Sequence, residues 1–280
     1  MTDIQTALST ATCSLSTISD SAALDAEVLL CQVLSKPRSH LRAWPEKPLT
    51  DQQSTHFQLL LKKRQQGQPI AYITGHKEFW SRAFKVSSSV LIPRPDTELL
   101  IELSLALIAD KASPRLIDLG TGSGIIAITL AAERPDLEII ATDISLPALK
   151  IAQQNATFHG VNNIQFVHSD WFSAVPATQF DLIISNPPYI AQYDPHLSEG
   201  DVRFEPEMAL IAAEHGLKDI STLCQQARHY LKADATLLIE HGFDQQSAVK
   251  SLFDSFDYRN ITPFTDLSNN PRVTTGQWQH

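Results

Sequence analysis

Apolar positions along the chain change their period near residue 70. Before that point the spacing is helical. Leu24, Val28 and Cys31 recur on one face of residues 22–34, and Leu30 and Leu34 widen the stripe. Thr50 with Gln53 three residues later is a capping-box signature, and it opens a helix that runs through Lys62, Lys63 and Arg64. Gly67 then offers a left-handed stop. No alternating strand occurs before residue 69, so residues 1–69 are expected to form a small helical domain. Over 70–92 the pattern turns β-like. Ile70-Ala71-Tyr72-Ile73 and Phe84-Lys85-Val86, with Gly75 between them, predict a β-hairpin linker. Pro93 and Pro95 flank Arg94 and stiffen the junction, because each fixes its own φ and holds its predecessor extended.

From there to the end, 93–280, short apolar runs alternate with helical patterns. Strands are expected at 116–119, 138–142, 164–167, 180–185 and 236–240, and helices at 125–132, 147–158 and 217–231. Such alternation predicts a parallel sheet with helices on both faces. Residues 190–215 break the rhythm: a long stretch of weak period, the kind that usually carries function.

Composition narrows the function. The chain has 280 residues, 43% of them hydrophobic, and a formal net charge of -9. A packed globular protein fits that hydrophobic share. The acidic balance disfavours gripping naked nucleic acid, which needs a basic footprint. Lys62-Lys63-Arg64 is the one basic run, and a solvated helix end accounts for it. Cys13, Cys31 and Cys224 are odd in number and include no C-x-x-C pair, so neither a disulfide framework nor a metal site is expected. Cys31 and Cys224 read as small core residues. The N-terminal residues lack a signal-peptide pattern, and the longest apolar runs are too short to span a bilayer. A cytoplasmic protein is expected.

Four motifs carry chemistry. Gly120-Thr121-Gly122-Ser123-Gly124 follows an apolar strand and opens a helix, the place where open α/β sheets bind ligands. Its G-x-G-x-G spacing is neither the dinucleotide fingerprint nor a Walker A loop, so a ligand without a phosphate, such as S-adenosylmethionine, suits it. Asp143 ends the next strand about 20 residues on, where a carboxylate can take ribose hydroxyls. It also stands where a helix N-cap would. Asp170-Trp171, after the third strand, offers a carboxylate for an adenine amino group and an indole face for the ring.

Asn186-Pro187-Pro188-Tyr189 decides the reaction. The two prolines lack N–H groups, so the peptide there offers carbonyl acceptors and almost no donors. Asn186 adds a side-chain carbonyl once its NH2 is tied elsewhere. Tyr189 supplies a flat surface. Together they form a rigid pair of acceptors for a planar NH2 group. Such a clamp positions a poorly nucleophilic amide nitrogen and stabilises the positive charge that develops as a methyl arrives.

With these motifs the chain closely resembles the release-factor glutamine methyltransferases, the HemK/PrmC family. The resemblance also runs through Asp25-Ala26-Glu27, Pro69 to Gly75, Glu78-Phe79-Trp80, Leu91 to Glu98, Phe204-Glu205-Pro206 and Glu240-His241-Gly242. It implies an α/β fold, a seven-stranded Rossmann-like class I methyltransferase domain preceded by a small helical substrate-recognition domain and a β-hairpin linker. It implies contact of Gly120, Thr121, Gly122, Ser123, Gly124, Asp143, Trp171 and Asn186 with S-adenosylmethionine. Asn186, Pro187, Pro188 and Tyr189 would hold the substrate glutamine, that of the Gly-Gly-Gln tripeptide in peptide chain release factors 1 and 2. The Asn-Pro-Pro-Tyr motif is shared with adenine-N6 nucleic-acid methyltransferases, and a relative with the same motif acts on a ribosomal protein; both remain alternatives. The residues of the 94–98 segment indicate no specific role by themselves; a part in the site and bracing of the two domains stand equally open.

Overall fold

A computed structural model describes residues 2–279. The chain divides into two compact units. One runs to His76 and takes back His196–Phe204; the other comprises Lys77–Pro195 and the chain from Glu205 onward.

The first unit is helical: α1 (Ile4–Leu15), α2 (Ala22–Leu34), α3 (Arg38–Ala43), α4 (Asp51–Gln65) and α5 (Ile70–Thr74). Asp3 caps α1 by accepting from the Thr6 N–H at 2.7 Å. Thr50 and Gln53 form the expected reciprocal capping box on α4, and Gly67, at φ +88°, lies just past its end. Leu15, Leu29, Leu30 and Phe57 centre the core.

The buried face of α2 differs from the expected stripe. Ala22, Asp25, Ala26, Leu29 and Leu30 point inward, while Leu24 is exposed and Cys31 only half-buried. The stripe is rotated because Asp25 is buried with a partner: Arg64 Nε donates to its carboxylate at 2.7 Å, and Ser19 and Ser21 hydroxyls add 2.8 and 3.1 Å contacts. An apolar-only count cannot anticipate a buried ion pair. Arg64 therefore leaves the solvated run it was assigned to, and its other nitrogen reaches Asp201 at 3.0 Å.

Residues 70–74, expected as a strand, are helical. Pro69 caps the N-terminal end and Gly75, at φ +78°, the C-terminal end, and these caps override the β preference of Ile70 and Ile73. The hairpin lies just beyond, in β1 (His76–Phe79) and β2 (Arg82–Lys85). Its turn is Trp80-Ser81, both at positive φ (51° and 56°), without the Asn-Gly or Asp-Gly that normally marks such a turn.

The second unit is built on seven strands: β3 (Arg115–Leu119), β4 (Glu138–Asp143), β5 (Ile164–His168), β6 (Phe180–Ser185), β9 (Leu231–Glu240), β10 (Arg259–Thr265) and β11 (Pro271–Gln277). A two-residue pairing of β7 (Ile190–Ala191) with β8 (Ile211–Ala212) stands apart. The sheet order is β10-β11-β9-β6-β3-β4-β5, with β9 to β5 parallel and β11 antiparallel to both neighbours. This is the seven-stranded class I methyltransferase arrangement. Strand alternation sends Leu116 and Leu182 to one face, against α6 (Glu98–Leu107) and α7 (Ile125–Glu133). Ile117, Leu119 and Ile183 go to the other, against α10 (Lys218–Ala227) and α11 (Gln246–Ser255). Cys224 is fully buried there. α8 (Leu146–Phe158) follows β4, with Ser145 as its N-cap. The short α9 (Ala213–Gly216) contains Glu214 and His215 at positive φ, so it is a kinked turn rather than a helix. Among the described residues no helix is long and apolar enough to cross a membrane.

Candidate active site

Parallel register gathers the motifs. Leu119 at the end of β3 is level with Ser185 at the end of β6 and with Thr142 on β4. The chain leaves these neighbouring strands at one height, so Gly120, Asp143 and Asn186 emerge side by side. Strand order reverses between β3 and β6, the switch point where open α/β sheets bind ligands. Ser185 Oγ donates to the Leu119 carbonyl and the Thr121 N–H to the Thr142 carbonyl, each at 2.8 Å, which ties the three strand ends together.

A cavity of about 340 Å³ opens at this edge. Gly120, Thr121, Gly122 and Ser123 line it, with Asp143, Trp171, Asn186 and Pro188. Gly124, Pro187 and Tyr189 do not. Gly124 serves the helix start instead: it sits at φ +85°, and a Cβ there would press on Ile128 and Ala152. Pro187 is buried. From the 190–215 stretch, Pro206, Met208, Ala209 and Ile211 reach the cavity.

Asp143, Asp170 and Asp219 are the carboxylates of the lining, and Asp118 lies outside it. Asp118 is buried on β3; its Oδ2 accepts from Thr121 Oγ1 at 2.6 Å and from the Ala127 N–H at 3.2 Å, while Oδ1 has no partner among the described residues. Burial pushes this carboxyl up to about 7. Asp143 accepts from the Gly122 and Ser145 N–H groups, both at 2.8 Å. Burial raises its carboxyl, and the backbone donors oppose the shift. Each carboxylate oxygen has further lone pairs to offer. Trp171 is held at φ +46°, and its carbonyl takes the Ser169 hydroxyl at 2.8 Å. The missing side chain of Gly120 leaves room beside the indole, where an added Cβ would stand 3.5 Å from the ring. Asp170 is exposed on the rim.

Asn186 donates its NH2 to Thr97 Oγ1 at 3.2 Å. Tyr189 donates its hydroxyl to Glu240 Oε1 at 3.4 Å. Glu240 is buried, and burial pushes its carboxyl up to about 7, with Asp96 adding to the rise and Arg272 opposing it. Neither Thr97 nor Glu240 draws attention as a site residue from sequence. The available signal is a carboxylate ending the apolar run Thr236-Leu237-Leu238-Ile239, and Ile239 pairs with Ser185, so Glu240 lands beside Asn186.

The 94–98 segment now has contacts. Arg94 pairs with Glu205 at 2.5 Å, and Glu205 also takes the Ile92 N–H at 3.1 Å. Asp96 meets Arg272 at 3.1 Å, and Glu98 takes the Trp80 N–H at 2.9 Å. Thr97, between them, enters the cavity wall.

These residues fit S-adenosylmethionine. Asp143 presents a carboxylate to the cavity, suited to ribose hydroxyls, while Asp118, outside the lining, keeps an orphaned buried oxygen on the strand that leads into the glycine turn. The glycine turn permits close approach of a ligand that has no phosphate. Arg94 is the one Lys or Arg in the lining and is already paired. Fold and site define an S-adenosylmethionine-dependent methyltransferase of class I architecture. Residues 96–201 match the model of the methyltransferase small domain and residues 6–75 that of the PrmC N-terminal domain. A release factor glutamine methyltransferase from Vibrio cholerae is 50% identical over 93% of this chain and 91% of its own, and one from Aliivibrio fischeri is 47% identical over 93% and 92%. A methyltransferase from Pyrococcus furiosus shares the fold, with a TM-score of 0.54 at 13% identity over 73% of this chain and 92% of that one. The chain belongs to the release factor glutamine methyltransferase family.

Proposed function

We propose that this chain transfers a methyl group from S-adenosylmethionine to the side-chain amide nitrogen, N5, of the glutamine in the Gly-Gly-Gln motif of peptide chain release factors 1 and 2. It does so in the cytoplasm, and so modulates translation termination. The observation that carries this reading is the state of Asn186. Its NH2 is engaged by Thr97, so the atom left for the cavity is the carbonyl Oδ1.

Bound S-adenosylmethionine supplies a methyl group on a sulfonium, a leaving group that needs no further activation. Gly120 to Ser123 would bring backbone against it, Asp143 would receive the ribose hydroxyls and Trp171 would face the adenine. Asn186 Oδ1 and a carbonyl of the proline pair accept the two hydrogens of the incoming amide. Holding both hydrogens orients the nitrogen lone pair towards the methyl. The same acceptors stabilise the positive charge that builds on nitrogen in the transition state. One amide proton is released once the new N–C bond has formed. Tyr189 packs beside the planar amide. Residues 1–69 recognise the body of the release factor, with 70–92 as linker and 93–280 as the catalytic domain.

Incubation of the chain with purified release factor 1 or 2 and labelled donor tests the reading. Mass spectrometry is expected to place a single methyl on the Gly-Gly-Gln glutamine. Label appearing only on a ribosomal protein or on DNA adenine would refute the substrate assignment.

A further inference from the structure

We propose that Gln245 is a positioning residue for methyl transfer: its side-chain NH2 pins the Tyr189 carbonyl, at the downstream end of the Asn186–Tyr189 turn, to the end of the 190–215 stretch. The proposal rests on the reading of Asn186 to Tyr189 as a clamp for the substrate amide, and it supplies what keeps that clamp in place.

The clamp has a weakness in its own chemistry. Its two prolines remove the N–H groups through which a turn is usually anchored, so the direction of its acceptors depends on how its ends are held. Strand pairing holds the upstream end, where Ser185 is level with Leu119 and Ile239. Downstream, the peptide between Tyr189 and Ile190 is held from both sides. Its N–H donates to the Leu210 carbonyl and its carbonyl accepts from Gln245 Nε2, each at 2.9 Å. The same Nε2 donates to the His215 carbonyl at 3.3 Å. One NH2 group thus joins the two ends of the 190–215 stretch. Which way the Gln245 amide faces is set by the backbone. Its Oε1 takes the Gly242 N–H at 2.9 Å, and a backbone N–H can only donate. The Gly242 carbonyl, which can only accept, takes His241 Nδ1 at 2.9 Å. His241 Nε2 meets Thr274 Oγ1 at 2.9 Å, and His241 is fully buried at the sheet. The brace therefore starts from a rigid base.

Three features separate this arrangement from an ordinary helix end. Gln245 is the N-cap residue of α11, yet its side chain makes no capping hydrogen bond and turns back to Tyr189 instead. Gly216 packs against the same carbonyl: a Cβ there would stand 2.1 Å from the Tyr189 oxygen and 2.7 Å from Gln245 Nε2. Only glycine permits that approach. Glu214, His215 and Gly216 are all left-handed, at φ 55°, 57° and 85°, and two of them carry a Cβ. Such a run costs energy and persists only where the surroundings hold it. Here it brings the His215 carbonyl to Gln245. Gln245 does not line the cavity, so it acts through the turn and not on the donor.

The test is single-turnover methylation of intact release factor, with donor and protein substrate both saturating, on Gln245→Met, Gln245→Glu and Asn186→Ala. Gln245→Met keeps the length of the side chain and removes both donors. Gln245→Glu keeps an acceptor for the Gly242 N–H and sets a carboxylate against two carbonyls. Both are expected to lower the single-turnover rate by roughly 10- to 100-fold, the effect of a small misplacement at a reacting centre. Affinity for S-adenosylhomocysteine by calorimetry and KM for release factor should stay within about threefold. The cavity-lining part of the 190–215 stretch keeps its β7–β8 pairing and the contacts of Glu205 with Arg94 and the Ile92 N–H. Should one Gln245 variant fail to fold, the other decides alone. A wild-type rate in either folded Gln245 variant, beside a slow Asn186→Ala, overturns the brace and leaves the clamp standing. A rate loss matched by an equal loss of donor affinity also overturns it, because the cavity wall and not the turn would then have moved. A wild-type rate in Asn186→Ala removes the clamp itself, and the brace with it.

Discussion

Asp143→Asn tests how one side chain shapes the donor site and binds in it. In the wild-type chain one carboxylate oxygen takes the Gly122 N–H and the other the Ser145 N–H, each at 2.8 Å. The first contact holds the glycine turn and the second begins α8. Asparagine keeps one acceptor oxygen and replaces the other with an NH2, so one backbone N–H must face a donor. A hydrogen bond to a charged acceptor is worth about 1.5–3 kcal/mol, and its donor is left unsatisfied. Loss of a single ribose contact on that scale raises the dissociation constant of the donor by roughly 10- to 150-fold. Removal of the buried charge offsets part of this, because burial already disfavours the ionised form of Asp143. The expected net change in calorimetry with S-adenosylhomocysteine is about 10-fold or more. Adenosine should lose a comparable factor, because the contact is to ribose; methionine should bind the two proteins alike. Affinities for S-adenosylhomocysteine equal within threefold would refute the ribose assignment. A loss for methionine that matches the loss for adenosine would show that the turn, rather than the ribose contact, had been disturbed.

Gly124→Ala should destabilise the chain by about 2–4 kcal/mol in urea unfolding, since it combines a left-handed backbone with overpacking against Ile128 and Ala152. Arg64→Leu should cost about 3–5 kcal/mol by leaving Asp25 buried without its cation, and Arg64→Leu with Asp25→Asn should recover much of it; equal stability of the two variants would contradict the pairing. The Asp118 carboxyl lies at about 7 when folded against 3.8 as its ordinary value, so the folded state binds more protons between those limits. Its contribution is therefore full at low pH and is lost as pH rises through 7. Stability of the wild type relative to Asp118→Asn should fall by about 2–3 kcal/mol between pH 5 and pH 8, and the comparison cancels the opposite slope of the buried His241, whose own ionisation burial disfavours. A free Gly-Gly-Gln peptide should be methylated far less efficiently than whole release factor, because the remote binding energy is missing.

The sequence by itself determined whatever depends on local period and on residues with few conformational choices. The strand at 180–185, the capping box of α4 and the glycine turn are legible because each is written in consecutive residues. Asn186-Pro187-Pro188-Tyr189 reads as a set of acceptors because two prolines remove the donors, which no tertiary context can restore. What only the tertiary structure decided are pairings between residues far apart in the chain. Burial of Asp25 depends on Arg64, 39 positions away. Helix at 70–74 depends on its two caps winning over β-branched preference, a balance too small for local pattern to settle. The Asn186 side chain is held by Thr97, 89 positions before it, and parallel pairing of β6 with β9 sets Glu240 alongside. Register is a property of the whole sheet, fixed only when every strand has buried its apolar face, and so no single segment can announce it.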